Sequence, residues 1–167
     1  NKEELEAKSQ LLDTFPHGDA VNIYNPIDEL QKEIIDASNY YIKSFEHVTE
    51  HQVIPKGSRL NIKSIWFLDL KDRDYLHAHH HGGNLFSGII YLKIPHKLKM
   101  SKSNGCIEFV YNPIVVPDKL INSNTFMIEP KENQMYIWPS WLFHTVYPYY
   151  GDEIRRSLSF NINIAPV

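Results

Sequence analysis

After Pro55-Lys56-Gly57 the apolar residues stop recurring at helical steps and begin to alternate, and this switch restricts the fold more than any other feature. Over 60–70, Leu60, Ile62, Ser64, Trp66, Leu68 and Leu70 alternate with Asn61, Lys63, Ile65, Phe67 and Asp69. A period of two belongs to a strand whose faces meet different surroundings. Further strand-like runs follow at 75–81, 86–94, 105–112, 125–129, 134–138, 142–147 and 155–164. Turn residues punctuate them: Lys71-Asp72-Arg73-Asp74, Gly82-Gly83-Asn84, Ser103-Asn104-Gly105 and Pro130-Lys131-Glu132-Asn133. So many short strands behind a helical N-terminal region predict a mainly β fold. The expected architecture is a double-sheet jelly roll with N-terminal helices packed on one sheet.

Helical periodicity is confined to the first third. Asn25-Pro26 reads as an N-cap followed by proline at the first helical position, with Asp28 and Glu29 at the positive end of the dipole. Ile27, Leu30, Ile34, Ala37, Tyr41, Phe45 and Val48 then form one apolar stripe, which predicts an amphipathic helix over 27–48. A shorter helix is expected over 2–13, carrying Leu5, Leu11 and Leu12. The 167 residues suit one domain, a helical layer over 1–55 and a jelly-roll core over 56–167.

Composition removes several classes of function. The net charge of −3, with no Lys/Arg run, argues against a non-specific nucleic-acid binder. No stretch approaches the ~18–20 apolar residues of a membrane span, and no signal segment opens the chain, so a cytoplasmic protein is expected. Cys106 is the single cysteine, which excludes an intrachain disulfide framework and reads as a buried structural thiol.

Four of the nine histidines fall within His77-Ala78-His79-His80-His81, and another, His144, closes Trp138-Pro139-Ser140-Trp141-Leu142-Phe143-His144 far downstream. Neutral imidazole is the commonest protein ligand for a transition metal. On a strand, residues two apart share a face, so His77, His79 and His81 can converge where His80 cannot. The pattern reads as a two-plus-one metal site. The last strand adds a cation: Arg155, Ser157, Ser159, Asn161 and Asn163 occupy one face and Arg156, Leu158, Phe160, Ile162 and Ile164 the other. A polar face of this kind lines a wet cavity or faces solvent; alternation alone allows both.

Trp66, the three consecutive histidines, Ser87-Gly88-Ile89-Ile90-Tyr91-Leu92, Gly105 with Phe109 and Pro113, Pro130, the Trp138–His144 run and Arg155-Arg156-Ser157-Leu158-Ser159-Phe160-Asn161 stand in a telling order. Together, over about 60–164, they resemble the 2-oxoglutarate- and Fe(II)-dependent oxygenases. More narrowly, they resemble small oxygenases of marine bacteria and their phages, in the prolyl-hydroxylase-like branch. The resemblance implies a double-stranded β-helix, Fe(II), 2-oxoglutarate as cosubstrate and O2. It also implies hydroxylation of a small-molecule or peptidyl substrate, with release of succinate and carbon dioxide, in a bacterial or phage-infected cytoplasm.

The same resemblance implies His79, His81 and His144 as the catalytic metal ligands, with His77-x-His79 as the other register. The family motif has a carboxylate where this chain has an imidazole, so the donor set departs from the 2-His-1-carboxylate triad. Three neutral ligands leave the full 2+ charge on the metal, which a dianionic cosubstrate neutralises. Arg155-x-Ser157 matches the family's anchor for the far carboxylate of 2-oxoglutarate, for which a guanidinium fork suits bidentate recognition. Tyr91 is expected to donate its hydroxyl to that carboxylate, and Ser159 to line the cosubstrate pocket. Two other readings stay open: a cupin-type metal enzyme that uses no 2-oxo acid, and a non-catalytic jelly-roll binding module.

Overall fold

A computed structural model describes residues 19–95, 103–111 and 125–165. The helix expected over 2–13, and Pro113, lie outside them. In chain order the elements are β1 (Asp19–Asn22), α1 (Asp28–Thr49), β2 (Leu60–Leu70), β3 (Leu76–His79), β4 (Phe86–Lys93), β5 (Ile107–Val110), β6 (Thr125–Ile128), β7 (Met135–Pro139), β8 (Phe143–Val146) and β9 (Arg155–Ile164). Every pairing is antiparallel. Five strands form one sheet in the order β1-β2-β9-β4-β7, and four form the other, β3-β8-β5-β6. This is the expected jelly roll, the double-stranded β-helix. Among the described residues no helix is long and apolar enough to cross a membrane.

Two apolar layers hold it together. One lies between the sheets and includes Leu68, Leu70, Leu76, Ile89, Tyr91, Ile107, Phe109, Trp138, Val146 and Tyr149. The other lies under α1, where Ile34 and Ile42 meet Ile65, Phe86, Leu158, Phe160 and Ile162. Strand β9 serves both layers by alternation. Leu158, Phe160 and Ile162 face the helix, while Arg155, Ser157 and Asn161 are buried on the opposite side. Burial decides between the two readings of that polar face: it lines an interior cavity.

Strand β2 departs from the expected alternation. Ile62 pairs with Ile162 and Ser64 with Asn161, so Lys63 is an extra residue in a bulge. A one-residue slip sends each later side chain to the other face. Leu60 and Ile62 therefore join Ile65 and Phe67 in the layer under the helix, while Trp66, Leu68 and Leu70 turn into the inter-sheet core.

The helix also differs from its expected form. Its N-cap is Ile27, not Asn25, and no side chain caps it. The Pro26 carbonyl instead accepts a hydrogen bond from the Gln31 side-chain amide at 3.0 Å. The buried line is Ile34, Ser38 and Ile42, while Ile27 and Val48 at the two ends of the expected stripe are 66% and 80% exposed. Ser38 sits in that seam without penalty because its hydroxyl donates to the Ile34 carbonyl at 2.6 Å. The expected all-helical layer over 1–55 also contains a strand: β1 pairs with β2 through Asp19–Asn22 and brings Ala20 to the cavity wall. Nothing in Asp19–Asn22 itself marks a strand; it becomes one by pairing with β2.

Candidate metal centre and anion pocket

The site is built where β3 and β8 pair, with His79 directly opposite His144. His81 lies just beyond the end of β3, held there because its backbone N–H donates to the Ser140 carbonyl at 2.8 Å. The candidate ligand nitrogens of His79, His81 and His144 all lie within 4.8 Å of one another. Imidazoles bind divalent metals at about 2.1 Å, so a shared ion would draw this cluster in by modest side-chain adjustment. His77 is exposed, its ring against Tyr75, and His80 turns outward onto Phe143. Of the two ligand pairs left open by the sequence, 79 with 81 is the one that shares space with His144.

The hydrogen bonds fix which nitrogen is available. His79 Nδ1 lies 2.6 Å from the His77 carbonyl, and His144 Nδ1 lies 3.0 Å from that of Leu142. A carbonyl only accepts, so both Nδ1 atoms carry the proton, and Nε2 is the nitrogen through which each ring can ligate a metal. His81 is stacked between Trp66 and His144, at centroid distances of 5.9 Å and 5.2 Å. Burial pushes all three imidazoles below their ordinary range, His81 to about 4 and His144 to about 3. Repulsion from His79 adds to the effect on the other two, and for His81 a hydrogen bond with the Asn161 side chain opposes it. At neutral pH the triad is uncharged, which is the form that ligates.

Asn161 belongs to a buried polar chain that sequence reasoning misses as a unit. The Ser87 hydroxyl donates to Asn161 Oδ1 at 2.7 Å and shares a 2.8 Å bond with the Ser140 hydroxyl, while Asn161 Nδ2 donates to Ser64 at 3.0 Å. Ser140 is the residue whose carbonyl holds His81, so four polar side chains fix the surroundings of one imidazole. Only tertiary pairing brings strands β2, β4 and β9 and the turn after β7 to one place.

The same cavity is lined by Arg155, four residues along β9 from Ser159, together with Ser159, Ile89 and Trp138. Arg155 is 0% exposed, and Nε, Nη1 and Nη2 all lack a hydrogen-bond partner. Its guanidinium lies 4.9 Å from the centre of the Tyr91 ring. Tyr91 pairs with Ser157 across β4 and β9, and both hydroxyls are buried without a partner. Burial lowers the Arg155 pKa and raises that of Tyr91, while their proximity opposes both shifts. Of seven buried side-chain polar atoms without partners among the described residues, six belong to Arg155, Tyr91, Ser157 and Trp138. Native interiors pair nearly all such groups, so a cluster this dense calls for an absent partner. The chemistry of the cluster, one cation and two hydroxyl donors, suits a carboxylate. The residues present thus fit both a divalent metal and an anionic chelator reaching from it.

Two further residues shape the anion end. Gly105 has φ +62°, and a side chain there would meet Arg155 Cδ at 3.3 Å and Tyr149 Cδ2 at 3.4 Å. The sequence reads Gly105 as part of a turn, without its role as a wall for the guanidinium. Tyr149 is fully buried, and its hydroxyl donates to the Glu153 carbonyl at 2.7 Å. The Tyr147–Tyr150 segment packs beside Arg155, where the Tyr149 N–H donates to the Asp74 carbonyl at 2.9 Å.

The sequence profile of the family described as "Putative 2OG-Fe(II) oxygenase" matches residues 64–161. No curated protein matches the chain by sequence. Among solved structures, it resembles the viral collagen prolyl hydroxylase of Paramecium Bursaria Chlorella virus-1, solved with 2OG, at 14% identity and a TM-score of 0.56. That match covers 99% of this chain and 89% of the viral one. It resembles a Pseudomonas putida prolyl-4-hydroxylase at 12% identity and a TM-score of 0.56, over 98% and 85% of the two chains. An oxidoreductase of the 2OG-Fe(II) oxygenase family from Burkholderia pseudomallei matches at 13% identity and a TM-score of 0.47, over 65% of this chain. The chain spans 47% of that protein's length. At these identities the likeness is one of fold.

Proposed function

Because the chain belongs to the 2OG-Fe(II) oxygenase family, we propose that it is a non-haem Fe(II) oxygenase that uses 2-oxoglutarate and O2 to hydroxylate its substrate. His79, His81 and His144 are the residues that would hold the metal, through imidazoles that burial keeps neutral. Arg155 would receive the far carboxylate of 2-oxoglutarate, with the Tyr91 and Ser157 hydroxyls donating beside it and Ser159 along the wall. With Fe(II) in place, the centre supplies oxidative decarboxylation of the 2-oxo acid to succinate and carbon dioxide, coupled to hydroxylation. The protein's share is orientation, exclusion of water, and a fixed cation where negative charge must sit.

One observation supports this reading above the others: a guanidinium with no exposed surface and no hydrogen-bond partner shares a cavity with three histidines. A metal enzyme without a 2-oxo acid, or a binding module with a surface metal, leaves that buried cation unexplained. The third imidazole in place of a carboxylate gives the metal side a more positive donor set than the family motif, which favours a dianionic chelator. By analogy with the prolyl hydroxylases that share the fold, a peptidyl side chain is the first substrate to test, ahead of small metabolites. The site of action proposed is the cytoplasm of a bacterium or of its phage-infected counterpart.

The test is anaerobic reconstitution with Fe(II), followed by O2 and 2-oxoglutarate, with succinate measured against a His144→Ala control. Metal-dependent succinate release that requires both His144 and Arg155 is expected. Turnover that persists in Arg155→Met and does not need 2-oxoglutarate would select the cupin-type alternative.

A further inference from the structure

Trp138 lies in the inter-sheet core with its ring 5.1 Å from that of His144 and 5.0 Å from that of Phe109. It is 7% exposed, lines the cavity that runs from the histidines to Arg155, and its indole Nε1 has no hydrogen-bond partner. A tryptophan used only as packing usually directs its N–H to an acceptor when buried. Here it donates to neither neighbouring ring, although a phenylalanine would fill much of the same space without stranding a donor. The other partnerless donors are Arg155 and its neighbours Tyr91 and Ser157. The histidine end of the cavity lies further along β9, where Ser159 pairs with the Trp66 that stacks on His81. Among the described residues, Trp138 is therefore the one orphaned side-chain donor beside the histidines.

We infer that the Trp138 indole N–H is a positioning group for the cosubstrate, donating a hydrogen bond to an oxygen at the end of 2-oxoglutarate nearer the histidines. This rests on the proposed use of 2-oxoglutarate at this site. With Arg155 holding one carboxylate and Trp138 the other end, the oxo acid is fixed at two points on β9 and β7, strands that both flank β4. An indole donates and cannot accept, so it orients an anionic or carbonyl oxygen without competing for the metal. It also adds no charge to a centre whose three neutral ligands would leave the 2+ charge of a bound metal uncompensated.

The test uses the full chain loaded with Zn(II), which keeps the site diamagnetic. Wild-type protein labelled with 15N should give indole signals from its three tryptophans, and the one lost in Trp138→Phe identifies Trp138. On addition of 2-oxoglutarate that signal should move downfield and exchange more slowly with solvent. By calorimetry, Trp138→Phe should weaken 2-oxoglutarate binding about tenfold or more, the range for a hydrogen bond to a charged group. An unmoved Trp138 signal in wild-type protein that binds 2-oxoglutarate in an Arg155-dependent way overturns this inference and leaves the functional reading standing. So does affinity in Trp138→Phe within twofold of wild type. Failure of wild-type protein to bind 2-oxoglutarate overturns both.

Discussion

Replacing Arg155 with methionine should separate stability from ligand binding, in opposite directions. The arginine carries a charge with no exposed surface and three nitrogens without partners. An ion held this way costs several kcal/mol even after the protein relaxes, and replacing such groups with apolar residues of similar volume is often neutral or stabilising. Methionine keeps an unbranched stem against Tyr91 and Gly105 and removes the charge. The unliganded Arg155→Met protein should therefore be as stable as wild type or more so. Binding should collapse, because removing one partner of a buried charged pair costs about 2–5 kcal/mol. At 1.4 kcal/mol per tenfold, that is about 30- to 4,000-fold in Kd for 2-oxoglutarate. Thermal unfolding with Mn(II) measures both effects. Ligand at about 100 times Kd adds about 2.7 kcal/mol to wild type, which corresponds to about 5–10 °C in a chain of this size. The same concentration should move the variant by no more than about 3 °C. Arg155→Lys should fall between, since it restores the charge without the fork. A variant that unfolds several degrees earlier without ligand yet keeps the full 2-oxoglutarate shift would show that the guanidinium is structural and refute the argument.

Three further outcomes follow from the geometry. His144→Ala should weaken Mn(II) or Ni(II) binding by more than about 100-fold in calorimetry, since loss of mere outer-shell partners already costs 10–100-fold; a loss under threefold would remove His144 from the centre. For metal-free protein, the imidazoles of His81 and His144 lie at about 4 and about 3, below the ordinary value of 6.5. The unfolded chain thus takes up protons that the fold excludes. Stability should be full above about pH 6.5 and fall as pH drops towards those values, a slope in the urea midpoint that flattens in a His81→Gln/His144→Gln double variant. Gly88→Ala should destabilise the sheet by about 1–3 kcal/mol or more, because its Cβ would lie 2.2 Å from the Phe160 ring and 2.8 Å from the Tyr136 carbonyl. A melting point within 1 °C of wild type, in a chain where about 1 kcal/mol moves it 2–4 °C, would contradict the packing.

Much of this architecture is written in local pattern. Eight runs of strand character from residue 60 onward correspond to β2 through β9, and the helix over 27–48 to α1 over Asp28–Thr49. Period and turn chemistry act over a few residues, so a chain displays them without knowing its fold. The same holds for β9, whose alternation separates Arg155, Ser157 and Asn161 from Leu158, Phe160 and Ile162 before any partner is known. The bulge at Lys63 is not visible that way, because it exists only as a mismatch between β2 and β9. Nor is β1, four residues that gain strand character by pairing with β2.

The candidate site divides along the same line. The sequence by itself determined that imidazoles two residues apart, a later histidine and an Arg-x-Ser pair were available in strands, because identity and period are local properties. Only the tertiary structure decided that His79 faces His144 across a strand pair while His77 stays outside, that Asn161, Ser87 and Ser140 surround His81, and that Arg155 and Trp138 end up buried with nothing to bond. Whether a polar atom has a partner depends on which distant segments exclude water from it, and that is settled when the two sheets close on each other.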